Sequence, residues 1–79
     1  MVLAYVLAKM EAGKEEEVFA EIEKHREIEE ASATYGVFDL IIKVKFKKIE
    51  ELDRFIFDVV RRIPGVKETV TMITAKTIV

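Results

Sequence analysis

Apolar residues along this chain recur in two rhythms, an alternation of period two and a spacing of three to four, and the switches between them divide it into strands and helices. From Val2 to Lys9 both alternating sets, Val2/Ala4/Val6/Ala8 and Leu3/Tyr5/Leu7, are apolar, which predicts a strand covered on both faces. Gly13 breaks that pattern. A helix is predicted from Lys14, with Glu15, Glu16 and Glu17 at its positive end, Val18, Phe19 and Ile22 as its apolar stripe, and Lys24, His25 and Arg26 closing it. Ile28 to Thr34 reads as an edge or near-edge strand, with Ala31, Ala33 and Tyr35 on one side and Glu30, Ser32 and Thr34 on the other. After a short connection at Gly36-Val37, Phe38, Leu40, Ile42, Val44 and Phe46 alternate with Asp39, Ile41, Lys43, Lys45 and Lys47, the pattern of a hairpin's second strand. Ile49, Leu52, Phe55, Ile56, Val59, Val60 and Ile63 then fall at helical spacing until Pro64-Gly65 ends the run. Val66 to Val79, rich in β-branched residues, predicts a last strand.

The predicted order is βαββαβ, the ferredoxin-like arrangement of the α+β class: a four-stranded antiparallel sheet, order 4-1-3-2, with two helices on one face. Residues 1–79 form a single domain, because so short a chain cannot divide into two cores. Two helices cover only one face, yet the first strand is apolar on both, and Ile41 and Ile73 are expected on the uncovered side. A second copy of the same sheet is the simplest cover, since a two-fold interface is complementary to itself. The absence of cysteine points the same way, because assembly is the staple left to a small domain with neither disulfide nor thiolate metal site.

Charge and residue inventory narrow the function. Thirteen Lys and Arg against fifteen Asp and Glu leave a net charge of -2, the wrong sign for a domain that grips nucleic acid unaided. The apolar start, Met1 to Ala8, lacks a cationic leader and is too short for a signal peptide or a membrane span, which suggests a cytoplasmic protein. Asn and Gln are absent while Glu, Lys and Arg are abundant, as in proteins of hot environments. The one Ser, Ser32, and one His, His25, give no nucleophile–base pair, the acids are dispersed over helix starts and solvent faces, and the three glycines form no phosphate loop. No catalytic residue, metal ligand or cofactor is therefore expected. Lys43, Lys45, Lys47 and Lys48 read as a solvated face that discourages stray association.

What remains is the turn Gly36-Val37-Phe38-Asp39 and the threonines of the last strand. Gly36 permits a positive φ, the amides after it could meet a carboxylate, and Asp39 could meet an ammonium group; together these suit an amino acid. Thr69 and Thr71, two apart, add hydroxyls on one face. The plainer alternative stands beside this and is the stronger on residues alone: a hairpin glycine, a turn cap and ordinary strand threonines.

Over nearly its whole length the chain resembles the ligand-binding (RAM) module of the Lrp/AsnC family of transcription regulators. The resemblance rests on Tyr35-Gly36-Val37-Phe38-Asp39-Leu40-Ile41-Ile42-Lys43-Val44, similar to that family's Gly-x-x-Asp leading into an apolar strand, and on Ile63-Pro64-Gly65-Val66 followed by Thr69 and Thr71. It implies a sheet-to-sheet dimer, a ring of dimers, and an amino-acid effector between dimers with Gly36, Val37, Phe38, Asp39, Thr69 and Thr71 at the site. Full-length members begin with a helix-turn-helix domain, whereas Met1 here already opens the first strand, so the chain resembles the stand-alone module, with DNA binding either lost or supplied by a full-length partner with which it co-assembles. The alternatives are an ACT-like regulatory domain, a small dimeric ferredoxin-like enzyme of monooxygenase or stress-responsive type using His25 or a tyrosine, and an oligomer without a ligand.

Overall fold

A computed structural model describes residues 1–79. Its elements run β1 (Val2–Met10), α1 (Glu15–Ile22), β2 (Ile28–Ala33), β3 (Leu40–Phe46), α2 (Ile49–Asp58), a 3-10 turn (Val60–Arg62) and β4 (Val66–Ile73). The strands form one antiparallel sheet in the order β2-β3-β1-β4, the expected 4-1-3-2 order viewed from the other side.

Pairing fixes which side chains share a face, because directly opposed residues point the same way. Ala4, Val6 and Ala8 of β1 lie opposite Val44, Ile42 and Leu40 of β3, and these six side chains are buried with Val18 and Ile22 of α1 and Leu52, Phe55 and Ile56 of α2. The helices thus cover one face. On the other lie Leu3, Tyr5 and Leu7 of β1, Ile41 of β3, and Val70 and Met72 of β4, the last two 39% and 50% exposed. Ile73 departs from expectation, since it pairs with Ala4 and so belongs to the helix face. The threonine–valine alternation of β4 is apolar enough on both sides to leave its phase open, and the register with β1 decides it.

Element ends also shift. α1 stops at Ile22 and its last turn has no basic residue; Lys24, His25 and Arg26 instead form the following turn, where the Lys24 ammonium donates to Glu21 at 2.9 Å. That hydrogen bond, with the attraction of the same charge, holds the Glu21 carboxyl below its ordinary range. α2 tightens after Asp58 into the 3-10 turn instead of running to Ile63. Its start is fixed by Glu51, whose carboxylate accepts the Lys48 backbone N–H at 3.0 Å. β3 begins at Leu40, not Phe38, and β4 ends at Ile73, after which Thr74 N donates once more to Leu3 O.

Gly65 makes the turn into β4 possible. Its φ is +102°, and a Cβ there would stand 2.8 Å from Cβ of Lys14 and 3.0 Å from Cγ2 of Val18. The turn therefore packs directly on the first turns of α1, with a close approach that only glycine allows.

Candidate functional site

The turn between β2 and β3 is closed at its base and open at its tip. Thr34 N donates to Asp39 O at 2.8 Å, and the Thr34 hydroxyl donates to Phe38 O at 2.8 Å. Between these anchors Tyr35 and Val37 stand fully or largely exposed, and Gly36 takes φ +118° with open space around it. No backbone N–H of Tyr35, Gly36, Val37 or Phe38 donates to another group of the chain. These are strong donors facing solvent, free for a carboxylate.

Asp39 is more embedded than a strand-mouth acid need be. Its backbone N–H donates to Ala8 O at 2.9 Å, and its Oδ2 accepts the Met10 N–H at 2.9 Å. The reason lies in the unequal ends of β1 and β3: their pairing stops at Ala8 opposite Leu40, whereas β1 runs on to Met10. The Met10 N–H points to the same side as Ala8 O, where β3 offers no further ladder carbonyl, and the carboxylate supplies the acceptor. One carboxylate oxygen is thereby committed to the fold, and Oδ1 has no hydrogen-bond partner in the chain.

Thr69 and Thr71 lie elsewhere. They oppose Ala8 and Val6 across β1, so they sit on the helix face of edge strand β4, both half-buried. Leu40 flanks Ala8 from the other side, so the threonines and the Gly36–Asp39 turn are on opposite sides of β1, about 10 Å apart by two strand spacings. Within one chain these sequence-singled residues do not meet. Beside Thr69 opens a cleft of about 470 Å³, bordered by Arg61, Val66, Lys67 and Glu68.

Lys9 links the two regions and is not legible as a site residue in the sequence. Its ammonium is 3.5 Å from Glu68 Oε2 and 5.7 Å from the centroid of the Phe38 ring, so one cation spans the turn and β4. The signal that could find it is its place in β1, the one charged residue in a strand otherwise apolar on both faces.

His25 follows α1, half-buried, its ring edge-on to Phe55 with centroids 6.0 Å apart. No three His, Cys, Asp or Glu side chains converge to hold a metal ion. No helix is long and apolar enough to cross a membrane.

A helix-backed βαββαβ sheet with an uncovered apolar face and an open-tipped hairpin turn defines a ferredoxin-like domain of the α+β class. Sequence comparison makes this particular: the model of the Lrp/AsnC ligand binding domain matches residues 3–79, and the chain belongs to that family. The HTH-type transcriptional regulator FL11 of Pyrococcus abyssi is 45% identical over 75 residues, covering 95% of this chain but 49% of FL11, so the chain spans about half the length of that relative. The crystal structure of FFRP-DM1 superposes with a TM-score of 0.88 at 40% identity over 94% of this chain and 99% of that one. The transcriptional regulator NMB0573 of Neisseria meningitidis, solved as a complex with L-Met, shares the fold at 20% identity with a TM-score of 0.90, over 98% of this chain and 51% of that one. The curated relatives are HTH-type transcriptional regulators.

Proposed function

We propose that the chain is a non-enzymatic, cytoplasmic module that binds an amino-acid effector, assembles with copies of itself, and modulates transcription with or alongside DNA-binding Lrp/AsnC regulators. The observation that carries this reading is the set of unpartnered amides at Gly36, Val37 and Phe38 beside Asp39. An amino acid offers the complement: its carboxylate can accept from the amides while its ammonium donates to the free oxygen of Asp39. The L-Met complex of NMB0573, a protein of the same fold, supports this ligand class.

Assembly completes the site. The face bearing Leu3, Tyr5, Leu7, Ile41, Val70 and Met72 carries an apolar patch of the kind that marks an interface, bordered by Lys43 and Lys45 opposite Tyr5 and Leu3, and a second copy covers it self-complementarily. The exposed turn and the threonines of β4 then come together only across subunits, in a ring of such dimers, which accounts for their separation within one chain.

Calorimetric titration of the assembled protein with each protein amino acid tests the reading. Saturable binding of at least one, weakened by Asp39→Asn, is expected. An intact oligomer that binds none would overturn it.

A further inference from the structure

The cleft between the 3-10 turn and β4 is positively charged, and its charge has no counterpart in the chain. Arg61 and Lys67 border it, and neither forms an ion pair. Glu68 is the only acid at the rim, but its carboxylate is already paired with Lys9 on the face opposite Thr69. The Arg61 guanidinium carbon stands 5.0 Å from the centroid of the Phe57 ring, one turn earlier in the chain. Stacking of this kind restrains the planar fork without consuming its N–H groups, so that a bidentate acceptor can be met at reduced entropic cost. Thr69, which lines the same cleft and is half-buried, has a hydroxyl without a hydrogen-bond partner in the chain.

We propose that this cleft binds a small dicarboxylate, one carboxylate on the Arg61 fork and the other at Lys67, with the Thr69 hydroxyl beside them. Two cations and one hydroxyl match a dianion, and about 470 Å³ lies within the usual range for a small-molecule site. The Arg61 fork can meet one carboxylate bidentately and Lys67, as a separate point charge, the other; a single phosphate would also fit the fork, and the titration below distinguishes the two. The inference does not rest on the amino-acid reading of the hairpin turn: neither cation is used there, and Thr69 alone is shared.

The test is calorimetric titration of the intact full chain at low ionic strength with succinate, with inorganic phosphate, and with L-leucine as a neutral amino acid. Succinate is expected to bind saturably at one per chain, with affinity falling as salt rises. Arg61→Gln and Lys67→Gln are each expected to weaken it about tenfold, the loss typical of one charge-assisted contact. Asp39→Asn is expected to leave it unchanged. Arg61 and Lys67 are exposed, so circular dichroism and oligomeric state should match the parent in both variants. Absence of saturable succinate binding, binding of phosphate in its place, or succinate affinity unchanged by both substitutions would each overturn the proposal. If succinate binds as described while no amino acid does, only the amino-acid reading fails; amino-acid binding without succinate binding defeats only this one.

Discussion

Asp39 and Met10 are joined by a hydrogen bond of 2.9 Å, from the backbone N–H of the last β1 residue to the carboxylate at the mouth of β3. The residue that sequence singles out for ligand chemistry is thus also the acceptor that satisfies the end of the central strand where it outruns β3. Whatever Asp39 does for an effector, it does from a position fixed by the fold.

This dual role changes what Asp39→Ala should do. On sequence alone such an acid could be removed with little cost to stability. With Met10 N–H left without its acceptor in a partly buried place, the expected loss is about 1–3 kcal/mol, along with effector binding. Asp39→Asn keeps a carbonyl oxygen for Met10 but removes the charge, so stability should fall by less than in the alanine variant while amino-acid affinity drops. Thermal unfolding and calorimetry on the two variants separate the roles. Equal melting temperatures for alanine variant and parent would show that the Met10 bond contributes nothing.

The glycines at the two turns should differ sharply. At Gly65 a methyl group collides with Lys14 and Val18 in addition to meeting an unfavourable φ, whereas at Gly36 the space is open and only the backbone term applies. Gly36→Ala should cost about 1 kcal/mol and Gly65→Ala about 2–4 kcal/mol, since the latter must also separate the β4 turn from α1. Denaturant titration gives both values, and a Gly65 variant no less stable than the Gly36 variant would contradict this packing.

The uncovered sheet face predicts a change of assembly without a change of fold. Leu7 lies on that face, opposite Ile41 and Val70, while its neighbours Val6 and Ala8 are fully buried on the other. Leu7→Glu places a charge at the centre of the apolar face and should convert the proposed dimer to a monomer, with far-ultraviolet circular dichroism preserved. Light scattering after size exclusion reads this directly. An unchanged mass would remove this face as the subunit contact.

How far such features are legible in sequence depends on how local they are. The order of elements follows from period alone: alternation in Phe38–Lys47 and helical spacing from Ile49 are decided by neighbouring residues. The covered and uncovered faces of β1 are legible as a strand apolar on both sides. The phase of β4 is not, because Thr69-Val70-Thr71-Met72-Ile73 offers no clear polar side, and only hydrogen bonding to β1 selects the face of Ile73. Nor can spacing reveal that Asp39 answers Met10 twenty-nine residues away, since that need arises where β1 outruns its pairing with β3. Arg61 likewise reads in sequence as a cation at a helix end, and its spacing of four from Phe57 already suits contact on a helix; what spacing does not show is the cleft that Arg61 borders with β4.

Lys9 offers a last test, because it touches both regions. Its ion pair with Glu68 joins side chains 39% and 58% exposed, so its direct contribution to stability should be below about 1 kcal/mol. Its effect on ligands should be larger. Lys9→Met keeps the aliphatic stem over the sheet but releases Glu68, whose negative charge then lies uncompensated at the rim of the cleft bordered by Arg61 and Lys67. Succinate affinity should fall in this variant and recover in Lys9→Met/Glu68→Gln, where the carboxylate is gone, while the melting temperature moves little in either. Loss of affinity that the second substitution does not restore would mean that Lys9 acts through the Phe38 side of the sheet instead, by holding the hairpin turn in place.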